Sequence, residues 1–315
     1  MDTYYAHQEA AETVQIWSVK STETNSPLVK CRFAQPACDL DTDLVTVKKF
    51  DEGETGKIFI ADGSGSPTEA IFTIVGVLCA QELPPVKRHS FAAKRVPYAR
   101  QYAGIVGYGA PAFDLALSNL SSVAYEMAVA FGTRDIVGWK IEKSHTIGGS
   151  ELSSSCRYFT VGRKIPEGDK IPFANAVDPY GVLTAFVTET VAHCVDNDVL
   201  YMQFKNNQCF PKDPSTFQNG DIVEMGVSLV TWRTGKHNSP ERKYTSKLVL
   251  RSLTLLDNTL SKKAYFARQA PQTLPSAGDK RIRPIEQGEH GDGGEESEAR
   301  RKLARMHIDD DIDAL

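Results

Sequence analysis

Gly220–Asp257 reads GDIVEMGVSLVTWRT, then GKHNSPE, then RKYTSKLVLRSLTLLD. Two long β-type runs flank a loop of turn residues, which is the pattern of a hairpin. In the first run Val223, Met225, Val227 and Leu229 share one face, and Glu224, Gly226 and Ser228 share the other. One side is therefore suited to a core and one to water. In the second run Tyr244, Leu248 and Leu250 share a parity, with Lys247 and Arg251 opposite. Beyond Ser252 the apolar positions move to Leu253 and Leu255, which predicts a bulge or a strongly coiled strand. A strand of that kind is what closes a small barrel.

Upstream, the runs LVKCRF, LVTVKKF, GKIFIAD and EAIFTIVGVLCA lie between Pro27 and Leu83. They are rich in β-branched and aromatic residues and separated by DTD, DEGETG and DGSGSPT, as strands with short loops should be. Met1–Ser26 reads as a flexible N-terminal arm, within which HQEAAE suits a turn or two of helix and TVQIWSVK a strand anchored by Trp17. One long helix is predicted in APAFDLALSNLSSVAYEMAVAF, where Phe113, Leu117, Leu120, Ala124, Met127 and Phe131 recur every three or four residues. Pro111 opens it and Gly132 follows its end. β-type runs then resume in IVGWKIEKSHTI, SSCRYFTVG, GVLTAFVTETVA and VLYMQF, before the hairpin. From Ser276 the chain is charged with little to bury, the composition of a disordered tail. The predicted class is mainly β: two packed β units, the C-terminal one barrel-like, with one main α-helix and a disordered tail. The expected segments are an arm (1–26), a first β unit with a basic connector (27–110), a helix plus second β unit (111–268) and the tail (269–315).

The 315 residues are 41% hydrophobic and 24% charged, with a net charge of −4. That total hides a division. Pro27–Arg268 carries 28 Lys and Arg against 25 Asp and Glu, or +3, whereas 269–315 carries 7 against 11, or −4. Tyr201–Arg268 alone carries 11 against 5, or +6. A basic segment before an acidic tail suits polyanion binding or self-masking. The longest apolar run falls short of the ~20 residues of a membrane span, and no secretory signal is evident, so an intracellular protein is expected, with the nucleus one option. The six cysteines are scattered without paired spacing and read as reduced thiols.

Catalytic motifs were sought and none was found. The seven histidines are dispersed, and in His193-Cys194-Val195-Asp196 the side chains alternate faces, so no metal and no cofactor is expected. Binding chemistry has more support. Trp232 sits on the polar parity of its strand, and Arg233, Lys236, Arg242, Lys243, Tyr244, Lys247 and Arg251 surround the hairpin loop. In the connector Pro84–Tyr102, the cations Lys87, Arg88, Lys94, Arg95 and Arg100 alternate with Phe91 and Tyr98. Cations for phosphates beside aromatic faces for bases is the composition of single-strand binding surfaces. The competing interpretation is a solvated connector and a Trp232 that caps the core.

The strand opened by FQNGDIVEM and the leucine-rich KLVLRSLTLLD that ends at Asp257 resemble the last strands of an OB-like barrel. With DPYGVL and DNDVLYMQF, these segments are also similar to uncharacterised proteins of mushroom-forming fungi associated with transposon-rich regions, a resemblance that brings no function. The GDGG…HIDDDIDAL tail is similar to the acidic-tipped tails of bacterial single-stranded DNA-binding proteins, ending in Ala-Leu where those have Pro-Phe. That similarity implies a protein-partner motif at Ile308, Asp309, Asp310, Asp311, Ile312 and Leu315. The functional expectation is a non-catalytic, nucleic-acid-associated binding protein that prefers single strands. The alternatives are a coat-like or scaffold assembly protein, and an enzyme with an unrecognised site.

Overall fold

The computed structural model describes residues 4–269 except 24–34, 42–44, 51–54, 61–67, 87–97, 133–135, 144–148, 163–164 and 235–242. Helix α1 (His7–Thr22) comes first. The strands β1 (Gln35–Pro36), β2 (Val45–Phe50), β3 (Thr55–Ile60), β4 (Thr68–Glu69), β5 (Phe72–Glu82) and β6 (Arg100–Val106) follow. Helix α2 (Pro111–Phe131) leads to β7 (Ile136–Val137), β8 (Glu142–Lys143), β9 (Ser150–Arg157), β10 (Thr160–Val161), β11 (Val191–Ala192), β12 (Leu200–Lys205) and β13 (Gln208–Pro211). The long pair β14 (Ile222–Thr234) and β15 (Lys243–Asp257) and a final helix α3 (Thr259–Gln269) complete the body. The protein is mainly β, with one large sheet.

The sheet runs β13-β12-β15-β14-β5-β6-β9-β8, and the hairpin lies at its centre. β14 pairs antiparallel with β15 along its whole length and with β5 on its other edge. β5 pairs with β6 and β6 with β9, and β9 returns to lie against β15. Five strands thus curl into a barrel-like wrap whose β9–β15 seam carries no ladder hydrogen bonds. The curl has a local cause. The register skips from Ser252 to Leu250 across Gly226 and Val227, so Arg251 is the extra residue of a bulge, and a second shift follows Ile222.

Burial explains the sequence pattern and where it misled. Val223, Met225, Val227 and Leu229 are core residues, but Glu224 and Ser228, on the parity expected to meet water, are buried as well. Arg251 covers part of that parity, its Nε donating to Ser228 Oγ at 2.9 Å, and α1 packs on β5 and β14. The N-terminal arm is therefore a packed helix. Ala10, Val14, Ser18 and Ser21 recur at helical spacing and are buried, an apolar stripe too small to stand out. Tyr5 anchors its start by donating from its hydroxyl to Gly220 O at 2.7 Å. Gly220 holds φ +100°, which a side chain would oppose, and an added Cβ would come within 2.9 Å of the Tyr5 ring.

Two further features differ from expectation. The boundary placed at Pro84–Ala110 separates β5 from β6, which are hydrogen-bonded neighbours, and Met1–Ala270 is one compact unit. GVLTAFVTETVA is mostly turns, with strand only at Val191–Ala192. Asp178 captures the start of that segment, its carboxylate accepting from Leu183 N at 3.1 Å, Thr184 N at 2.8 Å and Thr184 Oγ1 at 2.7 Å, and only Val191 and Ala192 pair with a strand, β10. The Asp257 carboxylate accepts from Thr259 N at 2.6 Å and opens α3, whose Leu260 and Ala264 are buried. The unit from Pro271 lies outside the described residues, and so does the tail motif.

Candidate nucleic-acid interface

Four strands bring side chains to one cleft. Arg100 opens β6 and Arg157 ends β9, and the two are direct partners in the antiparallel register. Trp232 lies on β14 and Lys247 on β15, where Lys247 is the register partner of Val230. The cavity encloses about 310 Å³ and is lined by Arg100, Arg157, Trp232 and Lys247, with Ser155, Cys156, Asp196, Asn197 and apolar residues of the hairpin. Lys247 Nζ stands 5.5 Å from the centre of the half-buried Trp232 ring, and the Arg157 guanidinium 5.7 Å from that of Tyr98, which is 60% exposed. Both are cation–π distances.

The cations nearby fall into two kinds. Arg251 is neutralised: its NH2 donates to Glu69 Oε1 at 2.6 Å, its NH1 to Asp196 O at 2.7 Å and its Nε to Ser228 Oγ. Lys57 bridges Glu69 at 2.9 Å and Asp196 at 3.1 Å. Arg100, Arg157 and Lys247 have no ion pair among the described residues. Burial lowers the pKa of Lys247, and the charges of Arg100 and Arg157 lower it further. Burial and then Arg157 lower that of Arg100 in the same way. The cleft therefore gathers like charges that disfavour one another, and an anion placed among them relieves that cost.

The remaining candidate residues that the structure describes are dispersed. Tyr244 is 6% exposed and meets Phe131 edge-on at 4.8 Å, so it is core. Arg233 is half-buried and Lys243 exposed, both at the loop end of the hairpin. Lys87, Arg88, Phe91, Lys94, Arg95, Lys236 and Arg242 lie outside the described residues. Sequence reasoning missed Arg157. Nothing local marks it, and only its pairing with Arg100 would have drawn attention to it. It also missed Asp196, which lines the cleft while bound to Lys57. His193 is stacked on Phe173 at 4.1 Å with Nδ1 2.9 Å from Tyr158 O. Among the described residues no three His, Cys, Asp or Glu side chains converge as metal ligands, and no helix is long and apolar enough to cross a membrane. The five described cysteines are free thiols.

No family model matches the chain, and no curated protein matches it. Among solved structures the chain is similar to gp2.5, a single-stranded DNA binding protein encoded by bacteriophage T7, with 12% identity over 59% of this chain and 91% of that one. The TM-score is 0.35, a level at which the likeness carries no weight.

Proposed function

We propose that the cleft binds single-stranded nucleic acid without catalysis, its phosphates held by Arg100, Arg157 and Lys247 and a base stacked on Trp232. The observation that carries this is the facing pair Arg100 and Arg157. Like charges directly opposite on neighbouring strands destabilise a sheet. Here the pair is joined by Lys247, while Glu69 and Asp196 are engaged by Arg251 and Lys57. A solvated charged face would separate such cations or alternate them with acids. Three of them around an indole make a phosphate seat beside a stacking face.

The geometry favours an unpaired strand over a duplex. The indole lines the cavity, where a base reaches it only when free of its stack. Competition between a labelled single-stranded oligonucleotide and the same sequence as a duplex tests the proposal. Preferential displacement by the unlabelled single strand is expected. Equal displacement by both, or no binding by either, contradicts it.

A further inference from the structure

Along the β9–β15 seam a second cavity, of about 380 Å³, shares Ser155, Lys247 and Leu248 with the first, so the two are neighbours. Their chemistry differs. The second is lined by Trp139, Tyr102, four serines and the cations Lys140 and Lys247, the latter shared with the first. Trp139 is half-buried and fixed by its backbone N–H, which donates to Ser246 Oγ at 2.8 Å.

Resting on the nucleic-acid reading above, we propose that this second cavity receives an unpaired nucleobase of the strand whose phosphate sits among Arg100, Arg157 and Lys247. Trp139 provides the flat apolar face for that base, with Tyr102 and Lys140 lining the same cavity. The shared Lys247 marks the passage from phosphate to base. The seam is then a track for successive nucleotides, with Trp232 at one station and Trp139 at the next. Bases have π-faces whatever their sequence, so the track tolerates sequence changes.

Fluorescence anisotropy with a single-stranded oligonucleotide and an abasic deoxyribose-phosphate strand of equal length tests this in wild type, Trp139→Ala and Trp139→Leu. The wild type is expected to prefer the base-bearing strand by about a hundredfold, about tenfold from each of the bases on Trp232 and Trp139. Trp139→Ala should reduce that preference about tenfold, to what Trp232 supplies, while holding the abasic strand as before. Equal affinity of the wild type for the two strands, or an undiminished preference in Trp139→Ala, overturns the base cavity and leaves the cation cleft standing. If Trp139→Ala does not fold, an undiminished preference in Trp139→Leu, which fills the site without an aromatic face, overturns it. Failure of both strands to bind the wild type overturns the cleft itself.

Discussion

Arg100, Arg157 and Lys247 impose a cost on the folded protein that their ligand is proposed to relieve. The lowered pKa of Lys247 means that folding holds a charge where its surroundings resist it, and at neutral pH that penalty is fully present. Lys247 is exposed, so solvent screens most of that cost, and Lys247→Gln should leave stability unchanged or slightly raised while weakening oligonucleotide binding and reducing its salt slope by about 0.7. Denaturant titration and anisotropy on the same sample check the two effects. Trp232→Ala should weaken binding by about 1–3 kcal/mol with little change in melting temperature, since the ring is half-exposed. Tyr244→Ala should do the reverse, costing roughly 3 kcal/mol of stability by opening a cavity beside Phe131. These residues also show what the sequence made legible. Trp232 and Lys247 were readable because strand parity put them opposite the core face. Tyr244 shares the parity of Leu248 and Leu250, and that parity outweighed its place in a basic cluster. Arg157 was not readable, because its meaning comes from a strand fifty residues away.

At the scale of elements, the β15 bulge and the charge cluster it aims decide how the cleft is walled. Arg251 is the bulged residue, and it reaches Glu69 on β4 and the backbone of Asp196 before the cleft. Burial alone would raise the Glu69 pKa, but Arg251 and Lys57 outweigh it and hold the carboxyl below its ordinary 4.5. A depressed folded pKa gives stability that is present above about pH 4.5 and is lost as pH falls through the folded value. Arg251→Met should cost about 2 kcal/mol at pH 7, less than a fully buried pair because Glu69 is partly exposed. The gap from wild type should close as pH falls below 4.5, which urea denaturation across pH 3–7 would reveal; a constant gap would mean that Arg251 acts through packing alone. The strands and α2 were legible because their periods are strong. α1 was less so, since its buried stripe is alanine, valine and two serines. The turns of 181–190 hid because β-branched composition resembles a strand, and the Asp178 carboxylate that captures them shows no period.

For the whole molecule, Met1–Ala270 is one compact unit in which the first and last helices both meet the hairpin region: Tyr5 bonds Gly220, and Ser261 Oγ donates to Asp221 Oδ1 at 2.5 Å. Removing residues 271–315 should leave the melting temperature of the body unchanged within a degree or two, and scanning calorimetry checks this. The same removal takes away four net negative charges, 7 Lys and Arg against 11 Asp and Glu, and should tighten polyanion binding at low salt. The central claim is that Arg100, Arg157 and Lys247 together seat nucleic-acid phosphates. Its most direct test is the salt dependence of single-strand binding by the wild type and by a variant with all three changed to glutamine. Each phosphate contact on a single strand contributes about 0.7 to the slope of log K against log salt. The account predicts that the slope falls by about 2 and that affinity collapses in the variant while the fold persists. An unchanged slope in a folded variant would contradict it.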